Sequence, residues 1–398
     1  MADDGDADGT QKRKKRRPMD VMLDIAGGTD DPATQLVPSH LGGQVVGKWG
    51  KDLYVEDTAS NLIPTGCLRH DKQPCIPVPV VARHGLVLVR VHHPCQPGAN
   101  AAVDLRVCCP ATGRVQSLPP GPEFKGQFVL LVGDGEGNGA IGRPFKVLNV
   151  ASVAAGLMHR EPCHCLQLQT FSSERGTWGP RTWRWPPGRH RYHYSFPPLP
   201  GRHMVLGDAV HWLCRDRRFG TYYVFNLDVV GDGDDGGEIG LTLTSTRLPP
   251  SFHRECEYPR PGTQQILLAA TVEGIPVVLV ANHGRISGWT MSEDAKRRRT
   301  DQPHINHGTV SEDAKRRWTD QPHVVIDYET MKRSGNVPES SDLGMVQLEW
   351  FAERSGVVQV TTKRCGFFWL HLHSRKIVRH FQGSLYTRSC PYEMDLSS

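Results

Sequence analysis

The chain has 398 residues, of which 38% are hydrophobic and 22% charged, with 41 Gly, 30 Pro and a formal net charge of +5. This length suits two or three average domains or one large all-β domain, the Gly and Pro content implies many tight turns, and no run approaches the roughly 18 to 20 apolar residues of a membrane-spanning helix. The 11 cysteines are scattered without a Cys-x-x-Cys pair, and no apolar leader follows the charged start, which argues against a disulfide framework and for an intracellular location, nuclear or cytoplasmic.

Residues 1–17 are Asp/Gly-rich and then basic, a composition that buries no apolar surface and predicts a disordered tail. Its run Lys12, Arg13, Lys14, Lys15, Arg16 and Arg17 has the form of a nuclear-import signal, and equally that of a solvated arm or a phosphate-contacting one. Residues 18–36 open with Pro18 at a favourable helix start, and Met19, Met22, Leu23 and Ile25 recur at helical spacing. One short amphipathic helix is expected there, ended by Gly27 and Gly28.

From about Gly43 the pattern changes to short apolar or alternating runs between Gly, Pro, Asp and Asn clusters, which reads as strands. The clearest are Leu86 to His92, Gln127 to Val132, Phe145 to Val150, Cys165 to Phe171, His203 to Leu206, Ala209 to Cys214, Thr221 to Val229 and Gly366 to His373. Asp104 to Pro120 writes a complete hairpin. Leu105, Val107 and Cys109 alternate with Asp104, Arg106 and Cys108, Pro110 presets the turn, and Gly113 supplies the left-handed residue that closes a four-residue loop. Strands without crossover helices predict antiparallel sheets, and residues 37–398 are long for one sandwich or barrel. A β-propeller-like array of about six to eight blades fits the span.

One repeat stands out. Ser292 to His304 recurs as Ser311 to His323 with twelve of thirteen residues identical, at a period of nineteen. That is too short and too exact for a blade, and predicts a tandem duplication in one surface loop, residues 292–323. The second copy, which carries Trp318 and runs into Val324-Val325-Ile326, is expected to hold the structural place, and the first to be tolerated excess.

Several motifs point toward chemistry without completing it. Gly137, Gly139 and Gly142 fit a dinucleotide fingerprint, but Arg143-Pro144-Phe145 opens a strand where a helix N-terminus is needed. The acidic stretch Gly231 to Glu238 departs from calcium-loop spacing, and Cys163 and Cys165 lack a second pair at zinc-site spacing. His211 and Trp212 read as alternating residues of a strand. No residue is nominated as catalytic or metal-binding and no cofactor is expected, so the chain reads as a non-enzymatic binding protein. Trp183, Trp185, Arg189 and Tyr192 interleave aromatics with Arg between strands, as a partner-binding loop or a stacking surface for single-stranded nucleic acid.

Cys109-Pro110-Ala111-Thr112-Gly113-Arg114, Gly142 to Val147, Leu168 to Trp178, Gly207 to Cys214, Ile286 to Trp289, Trp350 with Glu353 to Val357, and Gly366 to Leu372 occur in the order found in a known family. The chain resembles grass-type plant F-box proteins with an F-box-associated propeller-like domain of unknown function, over Leu36 to Ser398. Cys109 stands where that family carries Asn. Residues 17–25 are similar to the first F-box helix, and the rest of the F-box is missing, which leaves a remnant helix. The resemblance implies the substrate-recruiting part of an SCF-type ubiquitin ligase, with a protein substrate on the propeller and a Skp1-type adaptor on Pro18, Met19, Val21, Met22, Leu23 and Ile25. The alternatives are a stand-alone propeller or a decayed family copy, and, less favoured, an RNA- or DNA-binding protein acting through the basic tail and the 183–192 loop. A monomer apart from its partners is expected, with no membrane and no nucleic acid bound.

Overall fold

A computed structural model describes residues 41–47, 53–56, 62–68, 76–92, 104–120, 126–133, 141–158, 161–184, 194–195, 203–216, 220–229, 241–256, 265–282, 284–292, 317–340, 342–381 and 389–393. The described residues form six small antiparallel sheets and two short helices. The first sheet holds β1 (Leu41–Gly47), β2 (Leu53–Glu56) and β3 (Leu62–Pro64). The second holds β4 (Ile76–Arg83), β5 (Leu86–His92), β6 (Asp104–Cys109) and β7 (Arg114–Ser117). The third holds β8 (Gln127–Val132), β9 (Phe145–Met158), β10 (Glu161–Ser172), β11 (Thr177–Trp178) and β12 (Thr182–Arg184).

The fourth sheet has β13 (Tyr194–Ser195), β14 (His203–Leu206), β15 (Ala209–Asp216), β16 (Tyr222–Val229) and β17 (Leu241–Arg247). Helix α1 (Pro250–Cys256) leads to the fifth, with β18 (Ile266–Ala270), β19 (Pro276–Asn282), β20 (Arg285–Ser292), β21 (Arg317–Trp318) and β22 (His323–Asp327). Helix α2 (Tyr328–Ser334) leads to the sixth, with β23 (Val346–Ala352), β24 (Val357–Thr362), β25 (Gly366–His371) and β26 (Lys376–Phe381). The last strand, β27 (Ser389–Glu393), returns to the first sheet and pairs with β1 from Val46↔Ser389 to Leu41↔Glu393.

That return closes a ring. Leading strands meet those of neighbouring sheets, β27 with β4, β4 with β8, β14 with β18, β18 with β23 and β23 with β27, so β27 serves as the inner strand of the first sheet. The all-β, propeller-like expectation stands, with six sheets. Closing the ring with the C-terminal strand removes the open sheet edge that the N-terminal strand would otherwise present.

The core lies between adjacent sheets. Trp212, Phe225 and Leu227 of the fourth pack against Leu148, Leu166 and Leu168 of the third. Helix α1 inserts Phe252 between Tyr222 and Trp289, edge-on to both, at ring centroids of 5.2 and 5.0 Å. Ser251, one residue earlier, accepts from Trp289 Nε1 at 3.1 Å and donates to the carbonyl of Asp320. Asp320 belongs to the second copy of the duplication, and Trp318 of that copy is buried and paired with Met291. The second copy therefore holds the structural place, as its tryptophan predicts. Residues 293–304 of the first copy lie outside the described residues.

Both helices have seven residues. Helix α2 is started by Asp327, whose carboxylate accepts from the Thr330 amide at 2.7 Å and its hydroxyl at 2.8 Å. Those two bonds hold the Asp327 carboxyl below the usual range. No helix among the described residues is long and apolar enough to cross a membrane.

Candidate functional site

A four-residue turn recurs across the sheets. In the hairpin after β6, the Cys109 carbonyl accepts from the amides of Thr112 at 3.2 Å and Gly113 at 2.8 Å, with Gly113 left-handed at φ 71°. The amide of Gly176 returns to the Ser172 carbonyl at 2.9 Å and that of Gly356 to the Ala352 carbonyl at 3.0 Å, again with positive φ at both glycines. In the first of these turns Thr112 Oγ1 also accepts from the Arg114 amide at 3.3 Å.

A fourth turn of the same length joins His371 to Lys376, and there Arg375 occupies the position of the glycine, at φ 55°. A Cβ in this region meets the backbone, so a non-glycine residue costs about 1 kcal/mol or more relative to Gly.

The turns that follow the inner strands converge on one mouth of the ring. Glu353, directly after β23, accepts from the Val205 amide of β14 at 2.9 Å. Its other oxygen lies 3.5 Å from Nε of Arg83, the last residue of β4. Arg83 Nη2 donates to the Gly207 carbonyl at 3.4 Å, in the turn after β14. Glu393, the last residue of β27, accepts from the amides of Arg354 and Ser355, the latter at 2.7 Å. Sheets one, two, four and six are thereby tied together around the axis by two carboxylates and one guanidinium.

The electrostatics follow from crowding. Burial lifts the Glu353 carboxyl to about 7; Arg83 and the Val205 amide pull it down and Glu393 adds to the rise. Burial, and then the charge of Arg83, push His203 down to about 4, so it is a neutral imidazole at pH 7. Arg83 Nη1 and His203 Nδ1 are buried with no hydrogen-bond partner among the described residues.

Beside Glu353, a cavity of about 460 Å³ opens between the turns of the fourth, fifth and sixth sheets. Leu206, Val277, Leu279, Val325 and Leu372 give it an apolar floor. Its rim carries Glu273, Arg354, His323, His373 and Arg375. The His323 imidazole is held below its usual value by burial and then by Arg375, and that of His371 by burial and then by His373. Val272, 62% exposed, stands at the tip of the turn after β18 and lines the same cavity.

Of the residues singled out in the sequence, Trp183 lies on β12 in the third sheet, where it pairs with Gln167 and is 46% exposed, and it does not line the cavity. Thr182-Trp183-Arg184 thus forms an outer strand where a loop is expected, because its β-favouring side chains find the free edge of β10 before Pro186 and Pro187 intervene. Trp185, Arg189, Tyr192, the basic run Lys12 to Arg17 and the helix residues Pro18 to Ile25 lie outside the described residues, as do Gly137, Gly139, the acidic stretch 231–238 and the side chains of Cys163 and His164. His211 and Trp212 are both buried on β15, as strand residues. Gly142 leads into β9, a strand. Cys165 is buried, and no group of three or more His, Cys, Asp or Glu side chains with metal-site geometry occurs among the described residues.

The mouth residues Arg83, His203, Glu393 and Arg375 carry no motif of their own, and Glu353 opens the stretch Glu353 to Val357, which the sequence singles out for its resemblance and not for a site. The one local signal is the repeated turn, in which Arg375 breaks the glycine rule. No curated protein matches the chain. Residues 76–398, from the start of β4 through the closing strand, match a family described as a domain of unknown function, DUF7595. Because that match spans most of the sequence, the chain belongs to the DUF7595 family.

Proposed function

We propose that this domain is a non-enzymatic protein-interaction module which holds a partner polypeptide at the mouth lined by Arg83, Glu353 and Arg375. The observation that carries the reading is the cavity itself, with an apolar floor and a charged rim at the point where the turns of three sheets converge. A closed ring presents such turns on a rigid scaffold, and specificity then lies in the loops. In finer detail, the module is the substrate-recruiting part of an F-box-type ubiquitin ligase component, with Pro18 to Ile25 as the contact for a Skp1-type adaptor in the cell interior.

Co-purification with mass spectrometry of the tagged full chain tests both levels. A polypeptide partner is expected with wild type and is lost on Val272→Asp, an exposed rim position where substitution leaves the core intact. A Skp1-type protein is expected as well, lost on the double change Leu23→Asp and Ile25→Asp while the cavity partner is retained. Recovery of a partner that ignores Val272→Asp removes the cavity from the reading. Absence of the adaptor from wild type leaves a stand-alone binding domain.

A further inference from the structure

We propose that the cavity between the fourth, fifth and sixth sheets receives an acidic side chain of a partner polypeptide, which pairs with Arg375 while its apolar neighbour rests on Leu206 and Leu372. The proposal rests on the reading of the domain as an interaction module and adds the chemistry of what is held. Three observations carry it.

The first is a backbone cost. Gly113, Gly176 and Gly356 occupy the left-handed position of equivalent four-residue turns, the last of them on this cavity too, and of these four described turns the one after β25 alone places a large cation there, Arg375 at φ 55°. Strain of this kind persists where the side chain is needed. The second is an unmet charge. No described carboxylate pairs with Arg375. Of the two rim acids, Glu353 is engaged by Arg83 and by the Val205 amide, and Glu273 sits on an exposed turn, hydrogen-bonded to Thr271. Arg375 lowers the proton affinity of the His323 imidazole, second to burial.

The third is size and composition. At about 460 Å³ the cavity takes one or two side chains, and its floor is aliphatic. A nucleic-acid backbone needs a track of cations along its phosphates, whereas the ionised Glu273 interrupts the rim of this cavity. A single carboxylate beside an aliphatic residue needs one cation and one apolar wall, which are both present.

The test uses the full chain and a set of short amidated peptides, Gly-Leu-Glu-Leu-Gly with its Gln and Lys counterparts, followed by ligand-observed nuclear magnetic resonance into the millimolar range. Inorganic phosphate and a thymidine oligonucleotide serve as the other arms. The Glu peptide is expected to bind about tenfold more tightly than the Gln peptide, and Arg375→Gly to lose about tenfold. Arg375→Gly is also expected to melt at or above the wild-type temperature, because glycine relieves the left-handed strain, so lost binding is not lost folding. Equal binding of the Glu and Gln peptides, undiminished binding by Arg375→Gly, or binding of phosphate or oligonucleotide in place of peptide overturns the proposal. A partner that co-purifies equally with wild type and Arg375→Gly sinks this assignment and leaves the module reading standing. Arg375-dependent peptide binding with no co-purifying partner does the reverse.

Discussion

Glu353 and His203 share the charge of Arg83, and burial drives both toward their neutral forms, so their contributions to stability run in opposite directions with pH. A carboxyl raised from near 4.5 to about 7 in the fold stabilises below its unfolded value, and that stability is lost as pH rises toward 7. An imidazole lowered from 6.5 to about 4 stabilises above its unfolded value, and that stability is lost as pH falls toward 4. Between about pH 4.5 and 6.5 the two slopes oppose each other. Glu353→Gln should therefore expose the His203 slope, with stability rising with pH relative to wild type across that window. His203→Asn should expose the falling slope of Glu353. Each is worth on the order of 2 kcal/mol, reduced from full conversion because the Glu353 side chain keeps 23% of its surface open. Urea midpoints at a series of pH values read the slopes. The absolute level of Glu353→Gln should also fall, since Arg83 is left as a buried charge without its carboxylate, so the slope and not the level decides. Two variants with the wild-type slope would show that neither group titrates as described.

At the level of elements, strands were readable where both faces are buried and the apolar run is continuous. Leu86–His92, Gln127–Val132 and His203–Leu206 have the bounds that such runs and their flanking turn residues predict. The outer strands Leu241–Arg247 and Lys376–Phe381 escape that reading, because an outermost strand is largely solvated and its run, such as Thr242 to Thr246, shows no dominant apolar face. The two helices escape it because seven residues are too few for a 3.6-residue period to register. The duplication gives the sharper test. Trp318 packs with Leu268, Phe252 and Trp289 at 5% exposure, so Trp318→Ala should cost about 3 to 5 kcal/mol in chemical denaturation. Deleting residues 292–310 instead puts Ser311 in the place of Ser292 before the same Arg317-Trp318 pair. Closing a shorter loop costs less entropy, so this deletion should leave stability unchanged or raise it by about 1 kcal/mol. A deletion that destabilises as much as Trp318→Ala would assign the first copy a structural role.

For the whole molecule, the ring was readable as a class of fold, and its closure was not. β27 contains Pro391, and a proline within a run argues against a central strand. An innermost strand has one edge without a ladder, however, so the missing N–H of proline is tolerated there, and β4 carries Pro77 and Pro79 on the same terms. The mouth was hidden for a related reason. Arg83, Glu353 and Glu393 lie in different sheets, and only the return of β27 to β1 brings the Glu393 carboxylate onto the amides after β23. Fold and site therefore depend on one five-residue strand. Removing residues 389–398 takes away Tyr392, which is 1% exposed between Cys67, Val87 and Cys108, strips β1 of its inner partner and uncaps the turn that carries Glu353. Losing the tyrosine alone should cost about 3 to 5 kcal/mol, and the open edge should drive self-association. The truncated chain is expected to melt well below wild type and to elute as larger species in size-exclusion chromatography. A synthetic peptide of residues 385–398 added in trans should restore the melting temperature, because it supplies the latch without the covalent link. A truncated chain that melts like wild type, or one that the peptide leaves unchanged, would show that the ring holds without its closing strand.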